Sequence, residues 1–326
     1  MRWVKNRQYF QSALQRATRY NTGMTAPSHA PERRIDRTQL SARLTPATQS
    51  WSIEIVETTG STNTDLNERL RASRVLDEPL VRVAYLQSAG RGRRGRQWVA
   101  QAGDALMFSL AYSIQRPVAE LAGLSLAVGT AIMAGLRSLE QQPASEPAQF
   151  ALKWPNDILL DGAKLGGVLI ETAWSNASNS AVVIGIGLNL HGAQALTEQL
   201  EALAAPGLPT HAIAALDQAF EEPDMTATLA ALLNALAEML ARFEKQGFAP
   251  FRAAWLADHA YAGQTVVLLE NGQEIARGIA ESVDAQGLLQ IKSADGTLHA
   301  CAVGDVSLRL RAGVDAALPP GAGVLR

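Results

Sequence analysis

The fold is decided by residues 153–174, which read KWPNDILLDGAKLGGVLIETAW. Pro155 has no backbone N–H to donate, so it breaks the apolar run 150–160 into two short strands. Asp161 and Gly162 form a dipeptide typical of a tight hairpin turn, because that turn favours residues that tolerate positive φ. The segment therefore predicts a hairpin whose return strand begins at its second lysine.

The same kind of pattern extends along the chain on both sides. Apolar runs predict further strands at residues 51–58, 80–87, 104–114 and 181–190. Helical patterns are found at 61–70, where Ser61 or Thr62 can cap, at 118–139, opened by Pro117, and at 196–258, with turns at 206–209 and 221–224. Strands and helices in this mixture predict an α/β domain.

A second domain is predicted to begin near residues 259–263. From there the chain has short apolar runs separated by Asn-Gly, Gln-Gly and Asp-Gly turn signals. This pattern predicts a small β-barrel. We expect domains at 49–259 and 260–314, preceded by a basic leader at 1–48, partly disordered, and followed by a tail at 315–326.

Composition restricts the class of protein. The chain has 326 residues, 47% of them hydrophobic, which suits about two packed domains and excludes disorder as the main architecture. The single cysteine, Cys301, excludes an internal disulfide framework and a multi-cysteine zinc site. The uncharged, mostly apolar run at residues 121–136 has 16 residues, fewer than the roughly 20 of a membrane-spanning helix. These features predict a soluble, cytoplasmic protein.

The charge is unevenly distributed. Residues 1–50 hold nine Lys and Arg against two acidic residues, so this segment is net +7 while the whole chain is −2. Three interpretations are open: an arm that binds nucleic acid, a transit peptide, or an extended reading frame whose natural start is Met24. We favour the third. Residues 35–44 are predicted to form a short helix capped by Asp36.

An arginine-rich loop, GRGRRGRQW at residues 90–98, joins two apolar strands. Its glycines let the backbone approach a ligand closely, and its arginines carry planar guanidinium groups that bind phosphate or carboxylate through paired hydrogen bonds. A solvated surface loop would explain the charges but not the spacing of the glycines. The pattern favours an anionic small molecule over which the loop closes.

Two lysines flank the hairpin. Lys153 opens KWPND, and Lys164 opens KLGG, where two glycines leave space beside the ammonium. A lysine so placed can stabilise a developing negative oxygen; the alternative is a packed Trp–Pro kink followed by an ordinary strand end. Asn156 and Asp157 add oxygen ligands of the kind that suit Mg²⁺ carried by a nucleotide.

Two further segments are candidates for ligand contacts: a polar start of a helix and a strand that contains two glycines. Ser61, Thr62 and Asn63 form a row of short polar side chains at a predicted helix N-terminus, where a polar or anionic ligand is favoured, although ordinary capping gives the same pattern. Gly185 and Gly187 lie in a buried strand, where glycine usually marks the close approach of another group.

Together these motifs resemble those of the biotin–protein ligases, the biotin–[acetyl-CoA-carboxylase] ligases. The matching segments are GSTN (60–63), GRGRRGRQW (90–98), KWPND (153–157), KLGGVLIE (164–171), GIGLNL (185–190) and GDVSLR (304–309), within residues 50–311. Asp305 stands where the family often has glutamate. The resemblance implies an α/β (α+β), class II synthetase-like fold, with a mixed, mostly antiparallel sheet and helices on one face, followed by an SH3-like β-barrel.

The resemblance also implies an activity. Such enzymes make biotinoyl-5′-AMP from biotin and MgATP and pass biotin to a lysine of the biotin carboxyl carrier protein of acetyl-CoA carboxylase. The implied biotin-binding residues are Ser61, Thr62, Asn63, Gln87, Arg91, Gly92, Arg93 and Lys164. The implied ATP-binding residues are Arg91, Arg93, Arg94, Trp98, Lys153, Asn156, Lys164, Asn189 and Arg309. The implied catalytic residues are Lys164, Arg91 and Arg93. No metal ligand is firmly assigned; Mg²⁺ is expected with ATP, and Asn156 is its candidate ligand.

Two alternative functions stay open. A lipoate–protein ligase would share the fold and the adenylation chemistry, although GRGRRGRQW favours biotin. A biotin-sensing DNA-binding regulator without ligase activity is the other. Fifty residues precede Trp51, too few for a winged helix, so we expect the monofunctional class with no nucleic-acid or membrane partner. A homodimer formed through sheet edges is left open.

Overall fold

A mixed sheet organises the fold. The computed structural model describes residues 33–144, 148–203, 212–270, 273–302 and 306–310, and apart from Arg33 they belong to one compact unit. In spatial order the strands of the sheet are β1 (Ser52–Thr59), β2 (Leu80–Gln87), β3 (Ala105–Ile114), β7 (Ser180–Asn189), β6 (Ala163–Ser175), β5 (Asp157–Leu160) and β4 (Phe150–Lys153). β1 and β2 pair in parallel, and the other neighbours pair antiparallel. The predicted mixed, mostly antiparallel sheet is confirmed.

The predicted hairpin joins β5 to β6. Asp161 and Gly162 both have positive φ, 49° and 78°, as a two-residue turn of this kind requires. Pro155 separates β4 from β5, and these two strands pair with each other directly. The break and the turn together bring Lys153 and Lys164 to the same carboxylate, described below.

Helices cover both faces of the sheet. Those described are α1 (Arg37–Arg43), α2 (Pro46–Gln49), α3 (Thr62–Ser73), α4 (Leu124–Arg137), α5 (Ala193–Leu203), α6 (Met225–Gln246) and α7 (Arg252–Ala257). α4 and α6 share a core with Phe108 and Leu110 of β3. Ser109 and Ala111 point to the opposite face, toward α3, because successive side chains of a strand alternate. The long core helices therefore lie on one face, and the short helix α3 is added on the other.

The core helix predicted at 118–139 begins later than expected. Residues 118–120 form a single 3₁₀ turn, and the α-helix starts at Leu124. Gly123, between them, has a φ of 78°, and a Cβ there would lie 2.6 Å from the side chain of Phe248. The chain turns sharply against that ring, which Pro117 alone does not reveal.

The region predicted as helical at 196–258 is interrupted. Residues 212–215 are extended, and backbone hydrogen bonds of 2.8 and 2.9 Å join this segment to Lys164. The predicted turn at 206–209 lies outside the described residues. Asp224, in the second predicted turn, caps α6 by accepting from two backbone N–H groups of its first turn.

The helices α1 and α2 pack on the core. Asp36 caps α1 as predicted, through hydrogen bonds to two backbone N–H groups. Leu40 and Leu44 are buried, and the side chain of Asn234 on α6 accepts from Thr45 N (3.0 Å) and from a second threonine of this segment. The described part of the predicted leader thus contributes to the core; the remainder, including Met24, lies outside the described residues.

The apolar helix α6 belongs to the interior. Among the described helices it is long and apolar enough to cross a membrane, but 61% of its most apolar window is buried inside the protein. Its buried residues include Leu229, Leu236 and Phe243. α6 is therefore a core helix.

A second, antiparallel sheet follows the first. Its strands, in the spatial order β11-β10-β9-β8-β12, are β8 (Thr265–Glu270), β9 (Gln273–Val283), β10 (Leu289–Lys292), β11 (Leu298–Cys301) and β12 (Val306–Leu310). This arrangement is consistent with the predicted SH3-like domain; Asp305 lies outside the described residues. Trp154 donates from Nε1 to the carbonyl of Gly287 (3.2 Å), so the KWPND segment fixes this sheet against the first one.

Candidate active site

A cavity of about 630 Å³ lies on the sheet face that carries α3. Its walls come from the start of α3, the end of β2, the arginine loop, the β5–β6 hairpin, β7 and the second sheet. The predicted site residues that line it are Ser61, Thr62, Asn63, Gln87, Arg91, Gly92, Arg93, Trp98, Asn156, Lys164, Asn189 and Arg309. Arg94 and Lys153, predicted for ATP, are not among its lining residues.

A polar cup forms where α3 begins. Ser61 is the N-cap residue, yet its side chain makes no capping hydrogen bond, so its hydroxyl is left for other partners. The side-chain oxygen of Gln87 accepts from the backbone N–H of Thr62 (2.8 Å). The amide nitrogen of Gln87 therefore points the other way, toward the sulfur of Met107 (3.3 Å). The cup thus offers hydroxyl groups and an amide donor from two neighbouring elements.

Two residues behind the cup escaped prediction. Ser109, fully buried on β3, donates to Asn63 Oδ1 (2.6 Å) and lies 2.7 Å from the hydroxyl of Thr62. Glu171, on β6, accepts from the side-chain amides of Asn63 (3.0 Å) and Asn67 (3.2 Å). A hydroxyl inside an apolar run was a signal for Ser109. Glu171 had none beyond its place in KLGGVLIE, because its partners come from a helix distant in sequence.

The two strand glycines allow the close approach that the sequence predicted. A Cβ at Gly185 would lie 2.1 Å from Asn63 Oδ1, and a Cβ at Gly187 would lie 2.5 Å from the ring of Trp98. Real Cβ atoms do not come so near, so glycine is required at both positions. Strand β7 therefore forms the floor under both the cup and Trp98.

The arginine loop is a small closed structure. Backbone hydrogen bonds run from Gly92 N to Arg96 O (2.7 Å) and from Trp98 N to Gly90 O (2.9 Å). A Cβ at Gly90 would lie 2.4 Å from the Trp98 carbonyl oxygen, so the second closure depends on glycine. Arg94 has a φ of 63° at the tip, consistent with its position away from the cavity lining.

Two arginines of the loop contact the cavity wall that β6 and the β4–β5 connection form. Arg91 Nη1 lies 3.0 Å from Glu171 Oε1 on β6. Arg93 donates from Nη1 to Asn156 Oδ1 (3.1 Å), which belongs to the β4–β5 connection. These contacts hold the loop across the cavity and concentrate positive charge at its mouth.

Asp157 organises the lysines. Its carboxylate lies 2.6 Å from Lys164 Nζ and 3.7 Å from Lys153 Nζ. Burial raises the pKa of the Asp157 carboxyl, but both lysines act in the opposite direction and hold it below its usual value. Burial lowers the pKa of Lys153 to about 8, and only Asp157 among its neighbours counters this. Lys164 reaches the cavity, while Lys153 is buried beside the carboxylate.

The glycines after Lys164 serve two different purposes. A Cβ at Gly166 would lie 2.6 Å from the carbonyl oxygen of Gly187, so this glycine permits the pairing of β6 with β7. A Cβ at Gly167 would lie 3.6 Å from Lys164 Nζ, an ordinary contact. Gly167 thus lies beside the ammonium, but a methyl group would also fit there, whereas Gly166 is needed for strand pairing.

The oxygens predicted as metal ligands are engaged by the protein. Asn156 Oδ1 accepts from Arg93, and Asn156 Nδ2 donates to the Val168 carbonyl (2.8 Å). The oxygens of Asp157 face the two lysines. Within the described residues there is no group of three or more His, Cys, Asp or Glu side chains placed to hold a metal ion. A divalent cation in this cavity would thus depend on oxygen ligands that arrive with the substrate.

The second sheet contributes the last wall. Leu269 of β8 and Arg309 of β12 both line the cavity. Burial lowers the pKa of Arg309, and the charge of Arg96, an unpredicted lining residue, acts in the same direction. Asn189, also in the lining, has a buried Oδ1 with no hydrogen-bond partner among the described residues. The cavity lining thus includes cationic side chains and a polar group left for a ligand.

Comparison with known proteins gives a consistent result. Residues 55–189 match the biotin/lipoate A/B protein ligase family, and residues 261–309 match the biotin protein ligase C-terminal domain. A biotin–[acetyl-CoA-carboxylase] ligase of Paracoccus denitrificans is 36% identical over 66% of this chain and 84% of its own length. The bifunctional ligase/repressor BirA of Escherichia coli (strain K12) is 31% identical over 79% and 74%.

The chain belongs to the biotin/lipoate A/B protein ligase family. The match of the second sheet to the C-terminal domain places it with the biotin protein ligases of that family. The fold agrees: a biotin protein ligase from Aquifex aeolicus, solved in complex with biotin and ATP, superposes with a TM-score of 0.61 at 25% identity. That similarity covers 80% of this chain and 99% of the other.

Proposed function

We propose that this protein activates biotin with MgATP and transfers it to a lysine of a carrier protein. The observation that carries the proposal is the pairing of two unlike ends in one cavity: a polar cup at the start of α3 and a cationic region around Lys164 and Arg309. Biotin itself has a polar ureido ring at one end and a carboxylate at the other.

The cup fits the ureido ring. Ser61, Thr62 and Gln87 supply two hydroxyls and an amide group at the cavity wall, and fixed polar groups in an otherwise apolar pocket give a ligand its orientation. Leu169, also in the lining, provides apolar surface for the rest of the biotin molecule. The carboxylate would then point toward Lys164.

The cationic end fits the nucleotide. Its positive side chains are Arg91, Arg93, Arg96, Lys164 and Arg309. Asn189 Oδ1, buried without a partner in the described part of the chain, can accept a hydrogen bond from the nucleotide, and the Trp98 ring offers a flat apolar surface. Mg²⁺ bound to the triphosphate would neutralise part of its charge.

In the first step an oxygen of the biotin carboxylate attacks the α-phosphorus of ATP. The new O–P bond forms as the bond to the β-phosphate oxygen breaks, and pyrophosphate leaves. Both reactants are anions, so they repel each other; Lys164 and Arg91 would offset that repulsion and stabilise the charge on the phosphoryl oxygens. Asp157 would hold Lys164 in place through its 2.6 Å contact.

In the second step the carrier lysine attacks the acyl carbon of biotinoyl-5′-AMP, and AMP leaves with the carboxyl oxygen. No nucleophile from the enzyme is required. Cys301 suits this scheme, because burial raises its pKa to about 11 and keeps it protonated. The mixed anhydride is sensitive to water, so the arginine loop must shield it until the carrier arrives.

The identity of the protein partner follows from the same proposal. The carrier would be the biotin carboxyl carrier protein of acetyl-CoA carboxylase, and the enzyme would be monofunctional and act in the cytoplasm without nucleic acid or membrane. The substrate named for the Paracoccus denitrificans relative supports the first point. A homodimer formed through sheet edges stays a further proposal.

The test is pyrophosphate release by the purified protein with MgATP and either biotin or lipoate. We expect release with biotin that is at least about 100-fold faster than with lipoate, because buried polar groups left unpaired by the wrong substrate are costly. Faster release with lipoate would assign the protein to the lipoate ligases. No release with either acid, from folded protein, would contradict both.

A further inference from the structure

A chain of hydrogen bonds runs behind the cup from strand β2 to the arginine loop. Its members, in order, are Gln87, Thr62, Ser109, Asn63, Glu171 and Arg91. The heavy-atom distances between successive members lie between 2.6 and 3.0 Å. The chain therefore connects the end of β2 to Arg91 of the arginine loop through α3, β3 and β6.

The direction of these hydrogen bonds is set at Glu171. An ionised carboxylate only accepts, so the Asn63 amide turns its nitrogen to Glu171 and its oxygen to Ser109. Ser109 donates to that oxygen (2.6 Å) and must then accept from Thr62 (2.7 Å). The hydroxyl of Thr62 lies farther from Gln87 Oε1, at 3.2 Å. Thr62 therefore uses its proton on Ser109 and presents lone pairs to the cavity.

Further contacts of Glu171 fix the direction in which the hydrogen bonds of this chain are donated. Asn67 Nδ2 also donates to Glu171 (3.2 Å), and it donates to the backbone oxygen of Asn63 (3.0 Å). Together with Arg91, three donors converge on one carboxylate whose side chain is only 21% exposed. A neutral acceptor in this position would hold fewer of them, because hydrogen bonds to a charged group are roughly twice as strong.

We propose that Glu171 is a positioning residue for biotin. It fixes the cup so that Thr62 accepts a hydrogen bond from an N–H of the ligand, and it ties the cup to Arg91 so that the cup and loop respond together. The ureido ring carries two N–H groups, which suits a cup of this polarity. The inference deepens the proposed function and rests on it.

The experiment compares Glu171→Gln, Ser109→Ala and a control, Glu274→Gln. The control breaks another Glu–Arg pair, Glu274 with Arg277, on the second sheet. Biotin binding is measured by calorimetry, and the KM for ATP and the release of free biotinoyl-5′-AMP are measured in the activation assay. We expect Glu171→Gln to weaken biotin about 10-fold or more, as for loss of a charged hydrogen bond, with the KM for ATP changed less than about 3-fold.

The two variants separate the two roles of the chain. Ser109→Ala interrupts the path to Thr62 but leaves Arg91 with Glu171, so it should weaken biotin without increasing the release of free adenylate. Glu171→Gln should both weaken the binding of biotin and increase the release of free adenylate. In a double-mutant cycle, Arg91→Ala combined with Glu171→Gln should cost less than the sum of the single changes, since both remove one contact.

Three results would overturn the inference while wild type is active. The first is an unchanged biotin affinity in Glu171→Gln. The second is tighter biotin binding in that variant, which would mean that Glu171 competes with the ligand for Arg91. The third is an equal loss of affinity for biotin and ATP together with a lowered melting temperature. A folded wild type that neither binds biotin nor releases pyrophosphate would instead contradict the proposed function itself.

Discussion

Gly185 and Gly187 show how single residues shape the cavity. They are two positions apart on β7, so both point to the same face of the sheet. Asn63 lies over the first and Trp98 over the second, each at a distance that excludes a Cβ. One strand thus sets the height of the polar cup and of Trp98 in the cavity.

This arrangement predicts that a glycine-to-alanine change has a different effect at each of the two positions. In Gly185→Ala the methyl group would displace Asn63, so we expect the KM for biotin to rise about 10-fold or more while the KM for ATP changes little. In Gly187→Ala the methyl group would displace Trp98, so the KM for ATP should rise instead. Steady-state pyrophosphate release gives both values. Identical profiles for the two variants would contradict the division of the cavity.

Part of the cavity lining could be predicted from residue types in the sequence, and part could not. Lys164, the arginines and the strand glycines were predictable, because charge or the absence of a side chain at those positions is unusual in a strand or a tight loop. Glu171 was not, because a glutamate near the end of an alternating strand is an ordinary surface pattern. Its importance comes from Asn63, Asn67 and Arg91, which only the folded chain brings together.

At the scale of elements, two side-chain contacts hold the arginine loop. Arg93 reaches Asn156 in the β4–β5 connection (3.1 Å), and Arg91 reaches Glu171 on β6. The loop backbone closes on itself through two further hydrogen bonds. Loss of one tether should therefore loosen the cover over the adenylate without unfolding the loop.

We predict that Arg93→Gly releases biotinoyl-5′-AMP into solution. The expected result is an increase of about 10-fold or more in free adenylate during turnover, measured by chromatography of the quenched reaction, since a shield that opens lets the intermediate escape. Arg74→Gly is the matched control: Arg74 is exposed at the end of α3 with a φ of 57°, which glycine adopts more easily. Equal adenylate release by the two variants would contradict the role of Arg93.

Strand patterns predicted elements better than helix starts. The strands were found from their apolar runs, and the hairpin because Asp161 and Gly162 tolerate the positive φ that its turn requires. The start of α4 was misplaced, since Pro117 is compatible with a helix N-terminus while the actual turn depends on the contact between Gly123 and Phe248. That contact joins segments more than a hundred residues apart, which no local pattern contains.

At the scale of the whole molecule, the second sheet completes the site. Trp154 bonds to Gly287, and a Cβ at Gly287 would lie 2.9 Å from the Cα of Gly123, so the two sheets meet closely. Arg309 then reaches the cavity. The composition predicted two domains, but their mutual placement depends on contacts of this kind and was beyond sequence patterns.

The connection between the two sheets contains a buried histidine. His259 is 6% exposed, its ring stacks on Trp255 with centroids 4.6 Å apart, and neither ring nitrogen has a hydrogen-bond partner among the described residues. Burial lowers its pKa from 6.5 to about 4. The neighbouring peptides pair with β4 through hydrogen bonds of 2.7 and 2.8 Å.

The histidine predicts a loss of stability in mild acid. Between pH 6.5 and about 4, His259 is protonated in the unfolded chain but stays neutral in the folded chain. The free energy of unfolding therefore falls as the pH falls, by about 3 kcal/mol at most. Urea unfolding at pH 7, 5.5 and 4.5 measures this. His259→Phe should remove that part of the decline. The same decline in the variant would assign it to other groups.

The central claim is that the protein activates biotin in this cavity for transfer to a carrier protein, and that Lys164 contacts the reacting groups. The most direct measurement is the transfer of labelled biotin to a purified biotin carboxyl carrier domain, with ATP and Mg²⁺, by wild type and by Lys164→Ala. We predict transfer to a single lysine by wild type and a loss of about 100-fold or more in the variant, as for removal of a charge that stabilises the transition state. No transfer by folded wild type, or equal transfer by the variant, would contradict the account.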